Sequence, residues 1–246
     1  MSKSTAYCGA YSALGNAFEY LNDDCGYEQW SQYLINKLQN FGAGQVGVDI
    51  GCGNGYFTRA LCKAGYAVTG VDISPQMLNC AVELARKQGV NSQFLLQDIT
   101  KLNLNFKADF AVAVNDCLNY VPKDKLSTAF SKVYRCLKKS GIFIFDISSE
   151  HKLRDILGSN LFAEAREDIS YTWFNTLKED RVEMDITVFT RRPDGLYQRA
   201  DERQTQYIHG ETELISLLHS VGFTVTTEGH LGGSKEERIN FLCKKI

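Results

Sequence analysis

Residues Val46-Gly47-Val48-Asp49-Ile50-Gly51-Cys52-Gly53-Asn54-Gly55 lead from an apolar run, through an acid, into three glycines at alternate positions. Seventeen residues later a second apolar run, Ala67-Val68-Thr69-Gly70-Val71, ends in Asp72. The pattern predicts a strand, a tight turn into a helix, and a second strand with a carboxylate at its tip. Gly51 and Gly53 permit backbone angles closed to other residues and let the chain pass close to a ligand. Gly55 lets the following helix pack against the strand. A unit of this kind binds a nucleoside cofactor.

The rest of the chain repeats the rhythm. Strands are predicted at about 46–50, 67–72, 93–96, 109–114 and 142–147, with helices at 56–64, from Ser74-Pro75 to about Gln88, and from Pro122 to about Lys138. Ser74 suits an N-cap and Pro75 the first helical turn. Asp109 to Val114 is apolar almost throughout, as a strand covered on both faces must be. Strands separated by helices give a parallel sheet with right-handed crossovers. Residues 5–40 read as helical, broken at Asp23-Asp24-Cys25-Gly26.

After about residue 150 the period changes. Val182 to Phe189 begins with strict alternation, Arg192-Pro193-Asp194-Gly195 is a turn, and Leu196 to Ile208 returns as a second strand. Ser170 to Phe174 reads as a third. The expectation is a single domain over 1–246, with an N-terminal helical cap at 1–40 and an inserted antiparallel sheet at about 160–208. A helix at Glu211–Ser220 and strands at 223–227 and 239–243 close the chain.

The formal net charge of −2 gives no electrostatic case for nucleic acid or an anionic membrane. The eight cysteines include no C-x-x-C pair, and no histidine stands at metal-ligand spacing, so no metal is expected. Reduced cysteines and a first segment without an apolar core predict a cytoplasmic protein. Cys8 and Cys25 flank an N-terminal segment and are the best candidates for any other thiol role.

Three details separate the glycine turn from a dinucleotide site. Its spacing is G-x-G-x-G rather than G-x-G-x-x-G. Asp49 stands where dinucleotide sites carry an apolar residue, and an acid there attracts an ammonium. Gln97-Asp98-Ile99 follows the third strand, so Asp98 suits an adenine amino group while Ile99 packs beside it. Asp72 suits the ribose hydroxyls and would repel a 2′-phosphate. An ammonium, a ribose and an adenine together describe S-adenosylmethionine better than a dinucleotide.

With Asp49 to Gly55, Gly70-Val71-Asp72-Ile73-Ser74-Pro75-Gln76-Met77-Leu78, Gln97-Asp98-Ile99, Leu137-Lys138-Lys139-Ser140-Gly141 and Gly222-Phe223 in place, the sequence resembles the class I S-adenosylmethionine-dependent methyltransferases over about 45–246. The resemblance implies an α/β, Rossmann-like, seven-stranded sheet of order 3-2-1-4-5-7-6 with the seventh strand antiparallel. It implies S-adenosyl-L-methionine as cofactor and S-adenosyl-L-homocysteine as product. Cofactor contacts are expected from Asp49, Gly51, Cys52, Gly53, Gly55, Asp72, Ile73, Met77, Asp98, Ile99 and the Asn115 backbone. The pattern around Tyr11, Tyr20 and Trp30 is similar to a bacterial small-molecule branch. In that branch N-terminal aromatics close over the cofactor and the inserted sheet walls the substrate pocket.

Methyl transfer from a sulfonium is an in-line displacement that needs chiefly positioning, so no triad or metal is required. The acceptor is expected above the tip of the fourth strand, near Asp116, Asn119 and Tyr120. The loop there is not Asn-Pro-Pro-Tyr, which argues against a flat nucleobase or a glutamine amide. Tyr197, Arg199, Asp201, Arg203, Thr205 and Tyr207 share one strand face, which suits an anionic or aromatic acceptor or, equally, a solvated or dimer-forming face. His209 is a candidate base by its ordinary pKa, or a structural histidine. The expected enzyme methylates N or O of a small molecule as a monomer or homodimer. A non-catalytic cofactor-binding module and an NAD-dependent oxidoreductase are the alternatives, and a protein acceptor stays open.

Overall fold

The computed structural model describes residues 25–246. Among these residues the first helix, α1 (Tyr27–Asn40), starts at Gly26, whose φ of 62° turns the chain into it. Then follow β1 (Val46–Ile50), α2 (Tyr56–Lys63), β2 (Ala67–Asp72), α3 (Pro75–Lys87), β3 (Gln93–Leu96), β4 (Ala108–Ala113), α4 (Leu126–Cys136) and β5 (Leu137–Ser148). Ser74 caps α3 as its sequence predicts: its Oγ accepts the Met77 N–H at 3.3 Å, with Pro75 in the first turn.

After β5 come β6 (Leu161–Ala165), β7 (Ile169–Leu177), β8 (Arg181–Arg191) and β9 (Tyr197–Tyr207), then α5 (Glu211–Val221), β10 (Phe223–Gly229) and β11 (Arg238–Lys245). The main sheet has seven strands in the order β3-β2-β1-β4-β5-β11-β10. Counted within this sheet, that is 3-2-1-4-5-7-6. Strands β1 to β5 pair in parallel, and β11 runs antiparallel to both β5 and β10.

Helices cover both faces. One core layer holds Phe130, Phe143, Phe145, Phe223 and Phe241 between the sheet and α4 and α5. The other holds Trp30, Leu34, Leu38, Phe57, Leu61 and Phe110 beneath α1 and α2. Burial on both sides explains why β4 lacks alternation. Among the described residues no helix is long and apolar enough to cross a membrane. Nor, among them, does any group of three or more His, Cys, Asp or Glu stand ready for a metal ion.

Local boundaries differ from the sequence reading for physical reasons. Residues Lys123–Lys125 form a 3-10 turn after Pro122, so α4 proper begins at Leu126. Strand β5 begins at Leu137 rather than Ile142, because Leu137 pairs with Ala108 before the register shifts. Ser140 takes a left-handed φ of 61° at that irregularity.

The inserted sheet has four antiparallel strands, ordered β6-β7-β8-β9, rather than three. Strand β6 is short and mixed in character, and only its pairing with β7 makes it a strand. A π-helical turn, Lys152–Leu157, joins β5 to the insert. Leu153 and Leu157 of that turn pack under β8, against Val182, Met184, Ile186 and Val188.

Candidate functional site

A cavity of about 400 Å³ lies where the chain leaves the C-terminal ends of β1, β2 and β4. Gly51, Cys52 and Gly53 form one wall, with Asp72, Ile73 and Met77 beside them. Asp98, Ile99, Asn115 and Tyr120 complete the predicted residues that reach it. Gly51 has a φ of +69°, and a Cβ there would stand 2.3 Å from Cys117 Sγ. Only glycine lets the β1 turn press against the turn after β4.

Asp72 ties the loop to the second strand. Its Oδ2 accepts the Gly53 N–H and its Oδ1 the Ser74 N–H, each at 2.8 Å. Burial pushes its carboxyl above the usual range, and those two N–H groups oppose the shift. Asp98 spends Oδ1 on Thr100, accepting both its N–H and its hydroxyl at 2.8 Å, while still lining the cavity. Arg59 is buried in α2 and donates to the Asn54 carbonyl at 2.6 Å, stapling the glycine loop from behind.

Two predicted residues stand behind the wall. Asp49 is 1% exposed, does not line the cavity, and accepts the Thr58 hydroxyl at 2.6 Å. Burial raises its pKa to about 7, opposed by the Thr58 bonds. Gly55 also stays off the cavity, where a Cβ would meet Phe94 and Ala81. Its role is helix-to-strand packing. Trp30 lies elsewhere: its ring meets His230 edge-on, at 4.7 Å between centroids, and carries the Arg238 guanidinium at 4.7 Å. It holds α1 to the sheet rather than facing the cavity. Tyr11 and Tyr20 lie outside the described residues.

The tip of β4 is held by an ion cluster that sequence reasoning missed. Asn115 and Asp116 are both left-handed, with φ of 61° and 63°. Asp146, at the end of β5, accepts their backbone N–H groups at 2.7 and 3.1 Å. Arg238 of β11 bonds Asp116 at 2.6 Å and also bonds Asp146. Burial pushes both carboxyls up, and Arg238 pulls both down. In Asp116 the guanidinium prevails, and the carboxyl sits below the usual range. Asp116 is therefore committed to Arg238 and Ser148 and does not line the cavity.

Tyr27 was also missed. It lines the cavity, and its hydroxyl lies 3.3 Å from Asn115 Nδ2. Its signal is position: it shares a helical face with Trp30 and Leu34 at i, i+3 and i+7. Lys125, at the entry to α4, brings a cation to the wall.

Of the acceptor-side candidates, only Tyr120 reaches the cavity. Asn119 is fully buried and works as a bolt: Oδ1 accepts the Ser148 N–H at 2.9 Å, and Nδ2 donates to the Tyr207 carbonyl at 3.0 Å. Tyr207 stacks on His209. His209 is buried with Nε2 3.1 Å from the Leu118 carbonyl, and burial pushes its pKa down. Neither lines the cavity. Arg203 pairs with Asp185 at 2.6 Å on the outer face of the insert, 52% exposed. The alternating face of β9 does exist, but it points outward. The buried face carries Glu202, Gln204 and Gln206, because these stand opposite Ile186, Met184 and Val182 of β8.

Comparison with known proteins fits this architecture. Residues 48–141 match a family described as a methyltransferase domain. A Geobacillus sp. (strain WCH70) protein named as a methyltransferase is 31% identical over 96% of this chain and 99% of its own. The crystal structure of an S-adenosylmethionine-dependent methyltransferase from Clostridium acetobutylicum ATCC 824 superposes with a TM-score of 0.86 at 30% identity, covering 94% of this chain and 96% of that one. The sugar N-methyltransferase KedS8 from Streptoalloteichus sp ATCC 53650 shares the fold, with a TM-score of 0.81 at 13% identity over 98% of both chains. The Clostridium acetobutylicum protein depends on the cofactor that the G-x-G-x-G turn and Asp72 anticipate, and the chain belongs to the S-adenosylmethionine-dependent methyltransferases.

Proposed function

We propose that this methyltransferase transfers the methyl group to a nitrogen or oxygen of a small molecule. The observation that carries the reading is the continuity of one cavity, from the glycine loop and Asp72 to Asn115, Cys117 and Tyr120 past the β4 tip. A bound donor fills the first part, and the second receives an acceptor next to the reacting carbon. The structural neighbour acting on a sugar amine supports the acceptor size.

In this reading Asp72 takes the ribose hydroxyls, and Asp98 with Ile99 takes the adenine. Ile73 and Met77 pack the nucleoside, and the Gly51–Gly53 backbone passes the methionine portion. Asp49 acts from behind, fixing the loop through Thr58 and adding negative charge near the ammonium. Tyr27 and Asn115 close the methyl end. S-adenosylmethionine supplies a sulfonium methyl. The chain aligns the acceptor lone pair with the S–C bond at about 3–3.5 Å. As the acceptor lone pair formed its new bond to the methyl carbon, the S–C bond would break with its electron pair left on sulfur, and the acceptor's proton would pass to water.

The proposed setting is the cytoplasm, supported by cysteines dispersed through helices and the glycine loop. The test is a screen of amine, phenol and carboxylate acceptors for S-adenosylhomocysteine release. Turnover of an amine or hydroxyl compound is expected. Turnover of a protein substrate alone would overturn the small-molecule reading.

A further inference from the structure

Two consecutive non-glycine residues at the β4 tip have left-handed backbone: φ is 61° at Asn115 and 63° at Asp116. Asparagine and aspartate tolerate that region as single residues, so two in succession need a partner outside the turn. Successive N–H groups of such a turn make a concavity that holds an anion. Asp146 is that anion. Its Oδ1 accepts the Asn115 N–H at 2.7 Å and its Oδ2 the Asp116 N–H at 3.1 Å. Asp146 is fully buried and does not line the cavity. Arg238 bonds it as well and lies 4.7 Å from the Trp30 ring centre. On the cavity side, Asn115 Nδ2 donates to the Tyr27 hydroxyl at 3.3 Å. Helix α1 thus grips the turn twice, through Tyr27 directly and through Trp30 by way of Arg238.

We propose that Asp146 is a positioning residue for methyl transfer, which sets the methyl end of the cavity from behind by holding the Asn115–Asp116 backbone left-handed. No described peptide is cis, and a trans peptide points its C=O opposite its N–H. With both N–H groups turned to Asp146, the Val114 and Asn115 carbonyls face away from it. Val114 and Asn115 both line the cavity. A relaxed turn would withdraw these groups from the donor. Two buried carboxylates and a guanidinium add little stability over apolar packing, and a fixed turn is what they add here. The proposal rests on the placement of Asn115 at the methyl end.

The test is S-adenosylmethionine affinity by calorimetry, with denaturant unfolding alongside. Asp146→Asn keeps the side-chain shape but only one acceptor oxygen, whereas the two N–H groups use separate oxygens. Affinity should fall about tenfold, the order of one left-handed residue's cost. Asp116→Gly is then added, or Asp116→Ala in parallel. Asp116 is off the cavity, and glycine takes the left-handed conformation freely. The glycine double variant should recover most of the lost affinity, although it is no more stable than Asp146→Asn. The alanine double variant should recover none. The two doubles carry the same charge, so only backbone preference separates them.

A purely structural Asp146 would lower stability and leave the affinity of the folded protein unchanged, which overturns the proposal. Equal affinities in the two doubles overturn it too. Either result leaves methyl transfer standing. If Asp146→Asn does not fold, Asp116→Gly and Asp116→Ala in the otherwise wild-type chain decide: the alanine variant should bind at least threefold more weakly, and equal binding overturns the proposal. Wild-type protein that fails to hold S-adenosylmethionine would break the donor-site reading itself, and the proposal with it.

Discussion

The two ends of the cavity are built in different ways. At the donor end the partners are close in sequence. Asp72 bonds Ser74 two residues on and Gly53 nineteen back, and Asp98 bonds Thr100. At the acceptor end Tyr120 reaches Gln204 across 84 positions, Asn119 reaches Tyr207 across 88, and Arg238 reaches Asp116 across 122. A site made of local turns is specified by a motif. A site made by docking an inserted sheet onto a strand tip is specified by register and by which face is buried.

The sharpest way to break that comparison is to remove the cluster that joins the two ends. Arg238→Ala leaves Asp116 and Asp146 buried without their cation. Loss of one partner of a buried ion pair is expected to destabilise by about 3–5 kcal/mol. Denaturant unfolding measures it, and a loss below about 1 kcal/mol would show that water reaches the cluster.

A second test concerns the layer behind the donor wall. The native pKa of Asp49 is raised to about 7 by burial, above the ordinary carboxylate value of 3.8. Between those values the folded chain binds a proton that the unfolded chain has lost, so Asp49 lowers stability as pH rises. Below 3.8 and above 7 its contribution is flat. From pH 5 to 7 the effect is roughly 2–3 kcal/mol at about 1.4 kcal/mol per unit. Asp49→Asn should erase it. Thermal melts of both proteins across pH 5–8 isolate Asp49 from the other carboxylates by difference. Parallel curves would place Asp49 in water or leave it ionised throughout.

The donor wall itself gives a smaller effect. Asp72→Ala removes the ribose acceptor and the anchor of the Gly53 N–H. Affinity for S-adenosylhomocysteine should drop at least tenfold, about 1.4 kcal/mol. Unchanged affinity by calorimetry would sink the ribose assignment.

The legibility of the sequence follows the same division. The glycine loop and the α3 cap were readable because each rests on a turn of a few residues, whereas the strand order followed only from the family resemblance. Asp49 was readable as an acid but not as a buried one. Its neighbours Val48 and Ile50 are buried too, so alternation carries no information in a strand covered on both faces. Arg238 follows Gly232-Gly233-Ser234-Lys235-Glu236-Glu237 and reads as one more loop charge. Its partners Asp116 and Asp146 come from two other strand ends. Trp30 has the right helical phase for the core, and only the arrival of His230 and Arg238 fixes what it touches.

Strand β9 shows the limit most directly, and it supplies the smallest predicted effect. The sequence offers two faces, one with Arg199, Arg203 and Tyr207 and one with Glu202, Gln204 and Gln206. Neither is apolar, so β9 alone cannot choose. Strand β8 chooses: Met184 faces inward and pairs with Gln204, while Asp185 faces outward and pairs with Arg203. A one-residue slip would exchange the two faces. Arg203→Ala should therefore remove an exposed pair with Asp185, worth at most about 1 kcal/mol. Cofactor affinity, measured by calorimetry, should stay at its wild-type value. If Arg203→Ala weakens cofactor binding, the outer face of the insert takes part in building the site, and the division between the two faces of β9 fails.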